Sequence, residues 1–271
     1  MTKYELPTTT LGRTGLVVTR LGIGGAYCDS AEGYARALDC GVTYVDTARA
    51  YHNGEDEKYV GEALVGRRKD VVLATKTQVR DADGARRELD TSLELLRTDF
   101  LDIWQMHYLN EEGDLQQILA PGGALEAAER ARDEGLIRFI GVTGHKWDIV
   151  AQAVATGRFD TVLCWYNCAM KEPESNVFVQ AQKHGTGVVI MQAARQNKLF
   201  GSEDEPAKAD FYRYVLSHPA VNVTLKGLRD VDAFCQIAAA LADHDILTEE
   251  EQVRLEAYGA RMLAAGKLNL E

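Results

Sequence analysis

Gly41-Val-Thr-Tyr-Val-Asp-Thr-Ala48 is an apolar run that stops on a carboxylate, with Tyr51 close behind. Residues 42–45 are rich in β-branched and aromatic side chains, which predicts a strand. Residues 31–39 before it and 55–64 after it space their apolar positions as helices do. Outward from this unit the same alternation recurs. Strands are expected at 71–74, 101–106, 138–142, 161–165, 187–191 and 221–225. Helices are expected at 82–96, 124–134, 147–155, 175–183, 210–216 and 231–241, with a last one near 248–263. Toward the N-terminus, residues 17–23 read as the first strand, leading into Gly24-Gly25.

These strands are continuous apolar runs rather than clean alternations, the pattern of parallel strands covered on both faces. Eight strand–helix units predict an α/β fold, a (β/α)8 TIM barrel. A doubly wound open sheet is the runner-up. Leu21-Gly-Ile-Gly-Gly-Ala26 approaches a dinucleotide fingerprint but lacks its spacing, so it reads as a tight turn. No Pro/Ser-rich linker interrupts the chain, and residues 1–271 read as a single domain.

Of the 271 residues, 46% are hydrophobic and 26% charged, enough for a full core without staples and unlike a disordered chain. The formal net charge of -11 opposes nucleic-acid binding, which needs cations against phosphates. No run approaches the roughly 20 apolar residues of a membrane span. The five cysteines are odd in number and the start of the chain is polar, without a secretory signal. A reducing cytoplasm is therefore expected, with Cys164 and Cys168 as reduced packing residues and no metal site.

In a barrel of this kind chemistry gathers at the C-terminal ends of the strands. Three consecutive strands end on Asp46, Lys76 and His107, and Tyr51 follows the first of these. Neighbouring strands lie about 4.8 Å apart, so the four side chains are able to converge. Taken singly they read as a turn cap, an ion pair, a core histidine and a wall residue. Together they make a general acid. An ammonium beside a phenol favours the phenolate, a carboxylate keeps the ammonium charged, and a neutral imidazole orients a carbonyl oxygen. Proton transfer of this kind contributes about 10²–10⁴ in rate.

At this point the sequence resembles the aldo-keto reductase family, over about residues 11–241. The resemblance lies in Gly41-Val-Thr-Tyr-Val-Asp-Thr-Ala48 continued through Tyr51, Gly54, Glu57, Gly61 and Ala63-Leu64. It lies also in Ser92-Leu-Glu-Leu-Leu-Arg-Thr-Asp-Phe-Leu-Asp-Ile103, ending in His107, and in Gly135-Leu-Ile-Arg-Phe-Ile-Gly-Val142. It implies the barrel already reached and a catalytic tetrad of Asp46, Tyr51, Lys76 and His107. It further implies NADP as cofactor, with NAD possible, and interconversion of aldehydes or ketones with alcohols.

On the cofactor side the resemblance implies Gly24, Asp46, Thr143, Gly144, His145, Met191, Gln192, Lys226, Gly227 and Arg229. Several of these depart from the family pattern. Thr143 and Gly144 replace the usual Ser-Asn, Leu163 stands in place of a Gln, and Met191 in place of a stacking aromatic. Gln192-Ala-Ala replaces Ser-Pro-Leu. Gly144-His145 is similar to a Thr-Gly-His branch of the family, without the iron–sulfur segment that branch often carries. Lys226 and Arg229 lie where relatives hold the adenosine 2′-phosphate.

Tyr27, His52, Trp147 and Trp165 are the expected substrate walls, suited to polyols as well as aromatic carbonyls. The chain ends soon after its last helix, so an open pocket is expected. Alternatives are an oxidative sugar or polyol dehydrogenase, a Schiff-base aldolase using Lys76, and a nonenzymatic dinucleotide-binding subunit. The expected partner is a small carbonyl or alcohol, and the sequence fixes no oligomeric state.

Overall fold

The computed structural model describes residues 2–202 and 204–268. A short antiparallel hairpin, β1 (Thr8–Thr10) and β2 (Val17–Thr19), precedes the main sheet. The main strands are β3 (Leu21–Gly24), β4 (Tyr44–Asp46), β5 (Val72–Thr77), β6 (Leu101–Met106), β7 (Ile137–Thr143), β8 (Thr161–Trp165), β9 (Gly187–Met191) and β10 (Val223–Gly227). All pair in parallel and close in the order β10-β3-β4-β5-β6-β7-β8-β9. The helices are α1 (Ala31–Asp39), α2 (Glu55–Ala63), α3 (Ala82–Leu95), α4 (Glu112–Leu119), α5 (Ala124–Asp133), α6 (Trp147–Ala155), α7 (Val177–His184), α8 (Lys208–Ser217), α9 (Val231–Asp243) and α10 (Glu249–Ala264). This is the (β/α)8 barrel that the alternating pattern predicts.

The core divides in two. A small inner cluster joins Leu11, Leu16 and Val18 of the hairpin region to Tyr44, Ala74, Ile103, Leu163, Val189 and Val223. The hairpin thus closes the N-terminal end of the barrel. A larger layer, including Leu89, Trp104 and Phe159, lies between strands and helices. Side-chain caps set several helix starts: Ser30 accepts from the Gly33 N–H, Asp81 from Gly84 and Asp230 from Ala233.

Three expectations are corrected here. Residues 17–23 do not form one strand: the chain leaves the hairpin at Arg20, whose N–H bonds back to the Pro7 carbonyl, and enters the barrel at Leu21. The break falls at the polar pair Thr19-Arg20, between Val17-Val18 and Leu21-Gly22-Ile23. Helix α4, set by a capping box between Glu111 and Asp114, fills a stretch expected to be loop. The cysteines are not all reduced. Cys40 and Cys235 form a disulfide, while Cys28, Cys164 and Cys168 are free and buried. The bonded pair lies 195 residues apart in sequence, and only closure of the barrel, with α1 beside α9, brings the Cα atoms to 6.0 Å. Among the described residues no helix is long and apolar enough to cross a membrane.

Candidate active site

Parallel register steps the acid–base residues along the barrel, Lys76 lying two residues beyond the partner of Asp46 and His107 two beyond the partner of Lys76. Gly24 pairs with Asp46, Asp46 with Ala74, and Lys76 with Gln105. Lys76 is 1% exposed, and its Nζ donates to Asp46 Oδ1 at 2.5 Å, to the Thr47 carbonyl at 2.6 Å and to Tyr51 Oη at 3.2 Å. The same ammonium lies 4.6 Å from the Tyr51 ring centroid. The His107 ring meets that of Tyr51 edge-on at 5.7 Å. Asp46, Tyr51, Lys76 and His107 therefore do come together at the C-terminal ends of β4, β5 and β6.

The electrostatics refine the expectation. Burial works against the Lys76 charge, but the Asp46 carboxylate and the Tyr51 oxygen outweigh it, and the lysine is held above its ordinary range. Burial raises Asp46, with Lys76 and Gln105 opposing. For Tyr51 the expected lowering by Lys76 is present, but burial is larger and the phenol ends above 10. The hydroxyl therefore keeps its proton at neutral pH. His107 is pushed down to about 2 by burial and then by the charge of Lys76, so its ring is neutral. A charged lysine bound to a carboxylate is a poor amine nucleophile, which removes the structural basis for the aldolase alternative.

Gln105 is a residue the sequence reading missed. Its Nε2 donates to Asp46 Oδ2 at 2.7 Å, leaving Oδ1 for Lys76. A Cβ on Gly141, its neighbour on β7, would come within 2.7 Å of Gln105 Cγ, so that glycine makes room for the amide. The available signal was parity: Gln105 is two residues before His107, on the same side of its strand.

The other half of the barrel mouth is organised differently. The Thr143 hydroxyl accepts from the Tyr108 N–H, and a Cβ on Gly144 would collide with the Leu109 carbonyl. Both residues expected to touch cofactor thus hold the β6–α4 segment in place. The His145 N–H donates to Asn110 Oδ1, and its ring stacks on Trp165 at 4.4 Å. Burial, then the charge of Arg195, pushes His145 down to about 4. Arg195, also missed by the sequence reading, is 2% exposed, with its guanidinium 4.5 Å from the Trp165 ring centroid. Met191 pairs with Trp165 in register and packs against the inner cluster. His107 Nδ1, Trp165 Nε1 and Gln192 Oε1 are buried without a hydrogen-bond partner. Buried polar atoms are normally satisfied, and three orphans at the ends of β6, β8 and β9 fit a bound polar group.

Tyr27, expected as a substrate wall, lies instead by the β10 end. A Cβ on Gly227 would come within 2.7 Å of its ring, Arg229 stands 4.9 Å over that ring, and Gln196 Nε2 donates to its hydroxyl. Lys226 is held below its ordinary range by burial, with Asp230 opposing. The Asp230 carboxylate is engaged in capping α9. His52 is exposed in a left-handed turn with φ 50°. Trp147 is half-buried, and its indole N–H donates to the Trp165 carbonyl at 2.9 Å. A cleft of about 500 Å3 lies among the loops after β5, β6 and β7, lined by Gln78, Arg80, Tyr108, Asn110, Asp114 and Lys146 among others, with none of Asp46, Tyr51, Lys76 and His107 in its lining. Among the described residues no cluster of three or more His, Cys, Asp or Glu could hold a metal ion.

A half-buried phenol hydrogen-bonded to a buried ammonium, at the carboxyl end of a closed parallel barrel, is an arrangement suited to proton transfer. The model of the Aldo/keto reductase family matches residues 26–239, and the chain belongs to that family. Among similar proteins, Aldo-keto reductase YhdN of Bacillus subtilis (strain 168) is 30% identical over 220 residues, 73% of this chain and 65% of that protein. L-galactose dehydrogenase of Arabidopsis thaliana is 31% identical over 212 residues, 70% of this chain and 65% of that protein. The chain thus spans a little under two thirds of these curated relatives. A crystal structure of an aldo-keto reductase from Klebsiella pneumoniae in complex with NADPH superposes with TM-score 0.79 at 25% identity, covering 96% of each chain.

Proposed function

We propose that this protein is an NAD(P)H-dependent oxidoreductase that interconverts small aldehydes or ketones with alcohols, acting as one barrel domain. The observation that carries the reading is the contact of Lys76 Nζ with Tyr51 Oη at 3.2 Å, inside a cradle closed by Asp46. When bound, a reduced nicotinamide supplies the hydride to the carbonyl carbon. Tyr51 donates its proton to the oxygen that gains charge, and Lys76 stabilises the phenolate left behind. His107, neutral, orients that oxygen. In the oxidative direction the same phenolate takes the alcohol proton.

For the cofactor we propose a rearranged set of contacts. Gln192 Oε1 and Trp165 Nε1 offer an acceptor and a donor, matching the two halves of a carboxamide, and the Thr143 hydroxyl, which accepts from the Tyr108 N–H, keeps its own proton to donate. Lys226 and Arg229 are the candidates for a 2′-phosphate, and Gly24 and Gly227 are paired neighbours on β3 and β10 at that side. NADPH is favoured by these cations and by the complex of the Klebsiella relative. The likeness to L-galactose dehydrogenase supports a hydroxylated substrate and the oxidative direction as the second reading. We also propose a cytoplasmic location, on the three cysteines left free, against which the Cys40–Cys235 disulfide stands. Fluorescence titration with NADPH and NADH side by side, then a carbonyl and polyol panel read at the dinucleotide absorbance, tests the function. Turnover with tighter NADPH binding is expected; binding without turnover on any substrate overturns the enzymatic reading.

A further inference from the structure

Asp56 and Glu57, in the first turn of α2, are both 0% exposed. Neither belongs to the tetrad. Asp56 accepts from the Thr47 hydroxyl at 2.6 Å, the Tyr34 hydroxyl at 2.7 Å and the Ala26 N–H at 3.2 Å. Glu57 accepts from the Thr75 hydroxyl at 2.6 Å and from the Arg49 guanidinium at 2.8 Å. Thr47 directly follows Asp46, and Thr75 directly precedes Lys76. Two adjacent carboxylates on one helix therefore grip the chain beside two members of the tetrad, on two neighbouring strands.

The grip reaches the reacting groups. The carbonyl of Thr47 accepts from Lys76 Nζ at 2.6 Å, so the residue held by Asp56 is one wall of the ammonium's cradle. Arg49, held by Glu57, donates its backbone N–H to the Lys76 carbonyl at 3.2 Å and its Nη2 to the Asn53 carbonyl at 2.9 Å. It thereby frames the segment that carries Tyr51, in which His52 and Asn53 are left-handed at φ 50° and 55°. The packing around Asp56 is close: a Cβ on Gly25 would lie 2.5 Å from Asp56 Oδ2.

Helix stability does not account for this arrangement. An acidic residue near a helix N-terminus interacts favourably with the helix dipole while remaining exposed. Burying a carboxylate carries a desolvation cost that its partners must offset. Two buried carboxylates are expected where they specify geometry rather than merely stabilise a helix end.

We propose that Asp56 and Glu57 are positioning residues that clamp Thr47 and Thr75 and so hold Lys76 Nζ within hydrogen-bond reach of Tyr51 Oη. The functional part of this proposal rests on Tyr51 as proton donor. Thr47→Val and Thr75→Val remove each hydroxyl at nearly constant shape. Each is expected to lower kcat for carbonyl reduction about 10–100-fold, the scale of a misplacement near 1 Å, with KM for the dinucleotide unchanged. Thr47→Ser and Thr75→Ser keep the hydroxyl and are expected to retain kcat. In a Tyr51→Phe background the valine variants should have no further effect on kcat, because they act through the phenol. Crystal structures of the folded valine variants should show the Lys76–Tyr51 contact longer than 3.2 Å. A lowered Tm with kcat and that contact both unmoved overturns the clamp. A wild-type protein that turns over no substrate overturns the proton-donor reading instead, and the contact distance in the variants still decides the clamp.

Discussion

The two halves of the barrel mouth carry their polar groups in opposite states. From β4 to β6 the polar atoms are engaged apart from His107 Nδ1 and Trp104 Nε1: Asp46 by Lys76 and Gln105, Lys76 by Asp46, Thr47 and Tyr51, and the flanking threonines by Asp56 and Glu57. From β8 into the segment after β9, Trp165 Nε1 and Gln192 Oε1 are buried without partners, and Gln192, Arg195, Gln196 and Asn197 all adopt positive φ. One half is assembled before any ligand arrives. The other is shaped for a ligand that completes it. Acid–base chemistry gains from preorganised dipoles that need not move during reaction, and that requires a rigid first half.

Changes in the assembled half are expected to have the largest effects. Tyr51→Phe should cut kcat by at least about 10² while leaving dinucleotide affinity and Tm near wild type, since it removes the proton and little packing. Stopped-flow single turnovers with NADPH check this. Unchanged turnover would show that the assembled half is only a structural network.

The next effect is in pH dependence. His107 is held neutral down to about 2 when folded, but takes up a proton below its ordinary 6.5 when unfolded. The unfolded state then binds more protons, so stability is expected to fall as pH drops below 6.5. His145, pushed down to about 4, acts in the same sense. Thermal melts at successive pH values should show this slope, and His107→Asn should reduce it. The phenol, raised above 10 by burial, keeps its proton through neutrality. The kcat of carbonyl reduction should therefore be flat from neutral pH to the alkaline limb, and a limb near 6.5 would contradict the neutral imidazole.

The smallest effect belongs to the open half. Gln192→Leu removes an acceptor expected to gain one hydrogen bond on cofactor binding, worth about 0.5–1.5 kcal/mol. Dinucleotide Kd should rise by that amount, about 2–10-fold, with kcat nearly unchanged. A loss of kcat as large as that of Tyr51→Phe would erase the distinction between the halves.

The comparison also separates what could be read from sequence. The convergence of Asp46, Tyr51, Lys76 and His107 was legible because each ends, or closely follows, an apolar strand, and register steps neighbouring strands by two residues, which keeps Asp46, Lys76 and His107 on one side of the sheet. Gln105 and the paired Asp56 and Glu57 were not singled out as site residues. An amide inside a strand and acids at a helix start each have an ordinary structural meaning until their partners are known. Tyr27 was placed on the substrate side, whereas its loop folds it over Gly227 beneath Arg229. Loop side chains reach in directions that strand spacing does not encode.

The sequence by itself determined the alternation of buried strands and amphipathic helices, hence the barrel, and the chemical identity of the residues at the strand ends. Tertiary structure decided what those residues became. Burial outweighs the lysine in setting the Tyr51 hydroxyl, Thr143 serves the neighbouring loop, and Cys40 meets Cys235 across the seam where α1 and α9 pack together. Local pattern reports which face of an element is apolar. Desolvation, long-range pairing and the direction of a loop side chain depend on neighbours that only the closed barrel supplies.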